Sequence, residues 1–341
     1  MSEGVRHPFA TAPAEGEAVA VAEGILWLRL PLPMALDHVN IFALDEGDGW
    51  TIVDTGLSSK RSKAIWERLL AGPLRGKPVR RVILTHHHPD HVGLVGWFQS
   101  RGAELLTTRT AWLYARMLVL DVQERPSPEA LTFYRRAGLT EAELAQRAEE
   151  RPFNFADIVE PMPLGFTRLV EGGRLRAAGR DWVVRIGHGH APEHLTLWSD
   201  DGIVLGGDQL LPGISANIGV YPTEPEADPL TDWLDSCRAL AAHAREEQLV
   251  LPGHKLPFTG LPFRLMQMVE NHDQALGRLL EHLRIPRTAA ECFPPLFRRE
   301  IGPAQHGLAL VEAIAHLNCL LRRGAVLRSL NPAGAWEWER R

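Results

Sequence analysis

The sequence predicts an α/β fold in which layers of helices cover β-sheet, and two observations support this prediction. Short runs of β-branched and aliphatic residues alternate with helical segments over residues 17–99. Histidine and aspartate side chains repeatedly follow the ends of apolar runs, as after 82–84 and 203–205. In α/β folds, functional sites gather at one end of the strands, so the second observation also predicts where a site lies.

The N-terminal part of the chain, residues 17–58, is typical of a β-meander followed by a helix. Three runs are the strand candidates: 26–30, 39–44 and 50–53. The sequence Asp-Glu-Gly-Asp-Gly at 45–49 is a strong signal for a hairpin turn. Residues 60–72 have helical periodicity, with Ile65 and Leu69 on one face, and Gly72-Pro73 ends that helix.

A strand at 82–84 leads into the motif Thr-His-His-His-Pro-Asp-His at 85–91. Pro89 ends the strand, so the motif lies on the loop that follows, with a helix predicted from about Gly93. Alternate residues of an extended segment point the same way, so His86 and His88 can bind one ion while His87 points elsewhere. Past the proline, Asp90 and His91 can face a second ion. The alternative, a low-complexity tract or a leftover tag, fits poorly because a core strand precedes the triplet.

Residues 108–150 form a helical insertion between the two halves of the core. The segment from 110 to 121 is apolar and helical, Ser127-Pro128 is a helix start, and Thr140 to Glu143 is a capping box. Such an insertion is a natural lid or substrate pocket. A packing or dimer element is the alternative.

The second half of the chain returns to strands and then becomes helical. Four apolar runs predict strands: 182–186, 195–198, 203–205 and 249–251. Three predicted helices and a two-stranded wing follow: 262–284, 288–297 and 305–322, then 324–328 with 336–338. The last of these helices contains Glu312 and no basic residue before Arg322. A helix that binds in a DNA groove normally carries several basic residues, so this composition argues against DNA binding. We expect a structural cap that closes the pocket or mediates dimer contact.

Three further loops repeat the pattern of ligand groups placed directly after strands. They are Gly187 to His194 with its three histidines, Gly206-Gly207-Asp208, and Pro252-Gly253-His254. Any one of them alone is a weak signal, since an aspartate at a strand end often serves as a cap. Four such loops together, with imidazole and carboxylate groups, predict a site for zinc or a neighbouring first-row metal.

These motifs resemble those of the metallo-β-lactamase superfamily, in its glyoxalase II-like branch. The match rests on Asp54 in Val-Asp-Thr-Gly, the motif at 85–91, Gly189-His190, Gly207-Asp208 and Gly253-His254, in this order over about residues 20–258. The resemblance implies a four-layer αββα sandwich with a two-metal site on its upper edge. The tail, around His316-Leu317-Asn318 and Arg323-Gly324, resembles the winged-helix appendix of some members.

The resemblance also implies the role of each ligand. His86, His88 and His190 hold the first metal, Asp90, His91 and His254 hold the second, and Asp208 bridges both. Asp54 corresponds to the residue that orients the ligand loop from outside. The expected cofactor is a pair of divalent ions, with Zn²⁺ first and Fe or Mn as alternatives. His188 and His194 lie in the third motif without matching the ligand position.

The resulting domain prediction is a tail at 1–16, a catalytic domain at 17–260 and a winged-helix-like cap at 261–341. The net charge of −5 argues against a general nucleic-acid binder. No signal-peptide pattern and no membrane-length apolar run is present, and the three cysteines are few and widely spaced. We therefore expect a cytoplasmic protein with a small-molecule substrate, no membrane partner and a possible homodimer.

The predicted function is hydrolysis of a small ester, thioester or lactone by a metal-bridging hydroxide, with Asp90 and Asp208 as catalytic residues. Asp90 would receive the proton of that hydroxide after its attack. The bridging position holds Asp208 rather than cysteine, and a glutathione-binding tail has no match in 258–341. The alternatives are a phosphodiesterase or endoribonuclease, a mononuclear iron oxygenase using His86, His190 and Asp208, and a sensor that has lost chemistry. Five residues are candidate substrate contacts: Tyr114, Met117, Tyr134, Ser215 and Asn217. Core packing is the alternative for the aromatic residues and methionine of this region.

Overall fold

The computed structural model describes residues 4–341, and the predicted tail at 1–16 therefore begins with three residues outside this range. The described part of the tail is packed. Arg6 and Thr259 exchange backbone hydrogen bonds of 3.2 and 2.9 Å. The Phe9 ring lies edge-on to Trp27 with 6.3 Å between ring centroids. These contacts bring the start of the described chain onto the unit that holds both large sheets.

The described residues form two compact units, and the first contains two β-sheets. It comprises the described residues up to Val122, together with Asn154–Ala216 and Leu240–Leu265. The larger sheet has seven strands in chain order: β1 Val19–Ala22, β2 Ile25–Pro31, β3 His38–Asp45, β4 Trp50–Val53, β5 Val79–Ile83, β6 Glu104–Thr107 and β7 Thr167–Arg168. The smaller sheet has five: β8 Arg174–Ala177, β9 Arg180–Gly187, β10 His194–Ser199, β11 Ile203–Gly207 and β12 Leu249–Pro252.

Both sheets combine antiparallel and parallel pairing. Strands β1 to β4 pair antiparallel, and β4 to β7 pair parallel. In the smaller sheet only β11 and β12 are parallel. The carboxyl ends of β5, β11 and β12 all lead directly into predicted ligand loops. Parallel pairing of β11 with β12 therefore places two of these loops at the same sheet edge.

The sheets share one core because their strand side chains alternate between two faces. Ile25 and Trp27 of β2 pack with Trp182 of β9 in the apolar cluster between the sheets. Leu28 and Leu30 point the other way, into the cluster that contains the helices. Alternation thus builds a helix layer and two sheet layers within the first unit.

The helices of this unit are α1 Lys60–Ala71, α2 Pro89–Val92, α3 Val95–Gln99 and α4 Arg109–Leu120. Ser59 caps α1 by accepting a 2.9 Å hydrogen bond from the Ser62 backbone N–H. Trp66 of α1 meets Phe98 of α3 edge-on, with 4.7 Å between ring centroids. Both rings are fully buried, so the two helices are fixed by one aromatic contact on the outer face of the large sheet.

The main local difference from the sequence prediction concerns the helix expected from about Gly93. A short helix instead begins at Pro89, and a second one begins at Val95. Proline suits the first helical position because its missing N–H has no partner there in any case. Asp90 and His91 consequently lie on a helical turn rather than on a loop.

The second unit comprises Gln123–Phe153, Asn217–Ala239 and Met266–Arg341. Its elements are α5 Pro128–Arg136, α6 Glu141–Glu149, most of α7 Pro229–Ala241 and of α8 Leu261–His282, a 3₁₀ turn Ala289–Cys292, α9 Phe293–Phe297, α10 Pro303–Arg322, β13 Val326–Leu330 and β14 Trp336–Arg340. Residues 123–150 of the predicted helical insertion lie here with the C-terminal segment, whereas residues 108–122 belong to the first unit. Ala290 N–H donates to the Ala137 carbonyl at 3.1 Å, and Arg287 and Trp338 exchange backbone hydrogen bonds.

Helix α10 is the buried centre of the second unit. Between Ala309 and Leu320 every residue except Glu312 is buried. Over these residues the helix therefore has no exposed face, although its first turns are exposed. Among the described residues, no helix combines the length and apolarity needed to cross a bilayer.

Candidate metal centre

Three imidazole nitrogens converge where β5 and β9 end. His86 Nε2 and His190 Nε2 each lie 3.0 Å from His88 Nδ1. His86 is fully buried, His88 is half-buried, and the His190 side chain is buried. These nitrogens form one group whose members all lie within 4.8 Å of one another, which suits a single cation.

The ring orientation of His86 is set from outside this group. Its Nδ1 lies 3.0 Å from the Thr85 hydroxyl oxygen. The Thr85 hydroxyl in turn donates a hydrogen bond to Asp54 Oδ2 at 2.8 Å. Thr85 N–H also donates to Asp54 Oδ1 at 2.8 Å. With Nδ1 carrying the proton, the lone pair of His86 Nε2 faces the group.

A second group consists of Asp90, His91 and His254, whose ligand atoms also lie within 4.8 Å of one another. His91 Nδ1 lies 2.7 Å from Asp54 Oδ2, and His254 Nδ1 lies 2.7 Å from the His38 carbonyl. Each of these oxygens accepts a hydrogen bond from the Nδ1–H group of its histidine. The Nε2 atoms of both histidines therefore point inward, towards Asp90 Oδ2 at 3.6 and 3.4 Å.

Asp208 lies between the two groups. Its Oδ1 is 3.4 Å from His91 Nε2, and its Oδ2 is 3.5 Å from His190 Nε2 and 3.2 Å from His254 Nε2. One carboxylate thus faces histidines of both groups, and its Oδ2 lies near one histidine of each. This position would suit a ligand shared by two cations.

The glycines next to the ligands leave room for this close approach. A Cβ at Gly253 would overlap Asp208 Oδ1 and lie 2.9 Å from His91 Cε1. A Cβ at Gly207 would lie 2.6 Å from His194 Cε1, at a φ of +48°. The ligand loops at 207–208 and 253–254 therefore need glycine for steric reasons.

Burial keeps two histidines of the first group neutral. It lowers the pKa of His86 and of His88 well below the usual value, and the charges of neighbouring histidines lower both further. Neutral imidazole is the form that binds a metal.

In the second group, neighbouring carboxylates raise the pKa values of the histidines instead. Burial would lower the pKa of His91, but Asp208, Asp90 and Asp54 raise it well above its ordinary range. Burial likewise opposes protonation of His254, yet Asp208 and Asp90 raise the pKa of His254 to about 10. The same pairing outweighs burial at Asp208 and holds the pKa of that carboxyl well below its usual value. The carboxylates therefore remain anionic and attract positive charge to this spot.

The donor set fits divalent metal ions. His91 Nε2 and Asp208 Oδ1 are buried atoms that have no hydrogen-bond partner within residues 4–341, although only 3.4 Å separates them. Leaving two such groups unpaired is costly unless a cation satisfies both. Imidazole and carboxylate together suit zinc, iron, manganese or cobalt.

Two residues outside the predicted ligand set support the site. His194 stacks on His86 with 4.6 Å between ring centroids, and its Nε2 accepts a 3.1 Å hydrogen bond from the Asp208 backbone N–H. Asn40 Nδ2 donates to the carbonyls of Pro252 and Lys255 at 2.9 and 2.8 Å, on either side of His254. The asparagine gave no local signal because its partners lie more than 200 positions away.

The five predicted substrate residues are spread over both units. Tyr114 lies against His87, with 5.1 Å between ring centroids, and is the one with a ring contact to the histidine motif. Met117 and Ser215 are exposed. In the second unit, Asn217 Nδ2 donates to Glu312 Oε2 at 2.8 Å, and Tyr134 carries the Arg147 guanidinium 4.1 Å above its ring. His87 is turned away from the ligands, against Tyr114 and Phe155, as predicted.

Comparison with known families decides the relationship that the motifs suggested. The model of the metallo-beta-lactamase superfamily matches residues 34–254, about two thirds of the chain. This chain belongs to the metallo-beta-lactamase superfamily. A second family model, the metallo-beta-lactamase-like C-terminal domain, matches residues 276–341.

Several individual proteins of the superfamily resemble the chain over nearly its whole length. A beta-lactamase domain protein from Burkholderia ambifaria is 37% identical with a TM-score of 0.89, over 99% of this chain and 97% of that one. A metallo-beta-lactamase family protein from Thermus thermophilus is 29% identical with a TM-score of 0.78, over 94% of this chain and 100% of that one. A Bacillus subtilis (strain 168) relative called "Probable metallo-hydrolase YqjP" is 26% identical, over 89% of this chain and 94% of its own length.

These findings confirm the predicted fold class and the predicted class of enzyme. The chain has the mixed α/β sandwich of the metallo-beta-lactamase superfamily, with an additional C-terminal domain. It is an enzyme of that superfamily, a metallo-hydrolase with histidine and aspartate clusters able to hold a divalent metal. The domain boundaries and the role of each ligand remain predictions.

Proposed function

We propose that the chain is a binuclear metal hydrolase that acts on a small ester, thioester or lactone. The observation that carries this proposal is the convergence of five histidines and two aspartates into overlapping groups around Asp208. His86, His88 and His190 would hold one ion and Asp90, His91 and His254 the other, with Asp208 shared. Zn²⁺ is the first expectation, and Fe or Mn are alternatives.

Two bound divalent ions would make water acidic enough to act as a nucleophile near neutral pH and would polarise the electrophile. The protein's own groups have separate tasks. Asp54 and the His38 carbonyl hold His91 and His254 in the tautomer that points Nε2 inward. Asp90 Oδ2, 3.4 Å from His254 Nε2, can orient the attacking water and accept its proton.

The substrate contacts stay a proposal at the same five positions. Tyr114 is favoured because its ring lies beside the histidine motif. Tyr134, Asn217, Met117 and Ser215 remain predictions from the sequence. The winged-helix-like form of the appendix and the glyoxalase II-like branch are also part of this proposal. The enclosed helix α10 supports a structural role for the appendix rather than nucleic-acid reading.

A substrate panel tests the reaction class. Metal-loaded protein is assayed on p-nitrophenyl esters, thioesters, lactones, bis-p-nitrophenyl phosphate and RNA, with Asp208→Ala and the exposed control Asp200→Ala. We expect chelator-sensitive turnover of an ester, thioester or lactone that Asp208→Ala abolishes and Asp200→Ala retains. Turnover of the phosphodiester or RNA alone would move the protein to the nuclease class. One iron per chain with consumption of dioxygen would favour the oxygenase.

A further inference from the structure

The β13–β14 hairpin places a row of large side chains on one face of the second unit. Its register pairs Arg328 with Trp338 and Leu330 with Trp336. Directly opposed residues share a face, and residues two apart on a strand share it too, so both tryptophans and Arg328 lie on one side. Trp338 is only 1% exposed, so this side is buried at its Trp338 end, whereas Leu330 at the other end is exposed.

A cavity of about 500 Å³ lies against this face, and all the residues around it belong to the second unit. This volume is within the range of small-molecule sites in proteins. None of the seven candidate metal ligands lines it. Six of its wall residues supply aromatic, guanidinium and amide groups: Phe133, Arg136, Asn318, Arg328, Trp336 and Trp338.

Two guanidinium groups in the wall stack on one indole ring. The Cζ atoms of Arg328 and Arg136 lie 4.3 and 4.9 Å from the centroid of Trp336. Arg136 Nη1 donates to the Gly334 carbonyl at 2.9 Å, and Arg328 Nη2 donates to Glu226 Oε1 at 3.0 Å. Each guanidinium has five N–H donors, so most of them remain available to a bound anion. The stacking holds both groups in place before any ligand arrives.

The wall also contains two buried polar atoms that have no hydrogen-bond partner in the described part of the chain. They are Trp338 Nε1, a donor, and Asn318 Oδ1, an acceptor. Their residues are 1% and 2% exposed. The Asn318 amide is held in place because its Nδ2 donates to the carbonyls of Pro225 and Ala227 at 3.0 and 2.9 Å. Buried groups of this kind are normally satisfied, so a polar ligand group that reached them would complete their hydrogen bonding.

We propose that this cavity binds a small organic carboxylate with a flat, apolar body. The rings of Phe133, Trp336 and Trp338 offer apolar surface for the flat part. Arg136 and Arg328 offer N–H donors to the carboxylate, and an arginine fork matches the two oxygens of that group. Trp338 Nε1 and Asn318 Oδ1 would meet one polar substituent on the body.

The charge of the wall favours a single negative charge on the ligand. Besides the two arginines, Glu129 and Glu226 line the cavity, and both are exposed. The ion pair between Arg328 and Glu226 already neutralises part of the positive charge. With Glu129 counted as well, the four groups carry no net formal charge, so an anion is attracted by the nearby guanidinium groups alone. A dianionic phosphate would be repelled by the two glutamates more strongly than a monoanion. The charge therefore selects a carboxylate over a phosphate.

Isothermal titration calorimetry on the metal-loaded full chain tests the proposal with 2-naphthoate as the probe. We expect saturable binding that persists in Asp208→Ala, since the cavity is separate from the metal ligands. Arg136→Gln and Arg328→Gln should each raise the Kd about tenfold, as expected when a hydrogen bond to a charged group is lost. The neutral 2-naphthamide should bind more weakly, and the exposed control Arg284→Gln should leave the Kd unchanged.

Thermal unfolding of each variant establishes that it is folded. Should Arg136→Gln not fold, Arg136→Lys keeps the charge but loses the planar fork, and it should still weaken binding. The proposal is overturned if 2-naphthoate does not bind, or if both arginine variants bind it as the parent does. Equal binding of the amide, loss of binding in Asp208→Ala, or tighter binding of 2-naphthyl phosphate would overturn it as well.

Discussion

Asp54 shows how much of the site depends on single residues. It has a φ of +62°, a conformation that aspartate tolerates better than most side chains. From there its two oxygens accept hydrogen bonds from Thr85 N–H, the Thr85 hydroxyl and His91 Nδ1. One carboxylate therefore fixes the loop after β5 and the tautomer of a candidate ligand.

We predict that Asp54→Asn folds normally but binds metal 10- to 100-fold more weakly, roughly the usual cost of losing a group that orients a ligand. Asparagine tolerates the same φ, and its oxygen can still accept from Thr85 N–H. Its amide nitrogen cannot accept the His91 Nδ1 proton. Competition with a chromophoric chelator measures the affinity, and Asp200→Asn is the control. An unchanged affinity would show that His91 needs no such partner.

Gly253 gives a second prediction at this scale. A methyl group there would overlap Asp208 Oδ1, so Gly253→Ala should displace that carboxylate and lose bound metal and activity. The matched control is Gly165→Ala, where an added Cβ meets nothing within 4 Å. Elemental analysis of both purified variants is the measurement. Full metal content in Gly253→Ala would contradict the shared role of Asp208.

At the scale of elements, Asn40 links the larger sheet to the loop that carries His254. Its Oδ1 accepts from Trp27 Nε1 at 2.9 Å and from Arg29 Nε at 3.2 Å. Its Nδ2 bonds the carbonyls of Pro252 and Lys255. The side chain is 1% exposed, so these bonds form away from water.

We therefore predict that Asn40→Ala lowers the free energy of unfolding by about 2–3 kcal/mol, because buried donors and acceptors lose their partner. Urea unfolding in the presence of a chelator measures this without a contribution from bound metal. Gln146→Ala, which removes an exposed hydrogen bond on α6, should change the value by less than about 0.5 kcal/mol. A loss for Asn40→Ala no larger than this control would contradict the linking role.

The strands and helices differ in how well the sequence alone predicts them. Strands with clear alternation and helices with capping signals were predictable, including the capping box of Thr140 and Glu143. Strands β6 and β7, of four and two residues, were missed because they are too short to show periodicity. The candidate ligands were predictable because each follows a strand in a recognisable motif. The supporting roles of Asn40 and His194 were not, since they depend on the distant carbonyl of Pro252 and on the ring of His86.

At the scale of the whole molecule, the second unit collects three separate chain segments. Such long-range grouping leaves no local pattern in the sequence. The same grouping brings Glu312 of α10 to Asn217, whose Nδ2 donates to its Oε2 at 2.8 Å. Burial raises the pKa of Glu312 to about 7, although the Asn217 hydrogen bond and the charge of Arg299 oppose the shift.

This pKa predicts how stability changes with pH. The unfolded state releases the Glu312 proton near pH 4.5, whereas the folded state keeps it until about pH 7. The contribution of Glu312 to stability therefore falls as pH rises between these values, by on the order of 1–3 kcal/mol. Urea unfolding of Glu312→Gln should show a smaller decline over this window than the parent, with the exposed Glu300→Gln as control. Parallel pH profiles for parent and Glu312→Gln would contradict the prediction.

The proposed binuclear function requires Asp208 to be shared by two metal ions, and elemental analysis tests this directly. Parent protein, Asp208→Ala and Asp200→Ala are purified alike, loaded with Zn²⁺ and passed through a desalting column. We predict about two ions per chain in the parent and in Asp200→Ala, and one or fewer in Asp208→Ala. Equal metal content in the parent and Asp208→Ala, whether both full or both empty, would contradict the account.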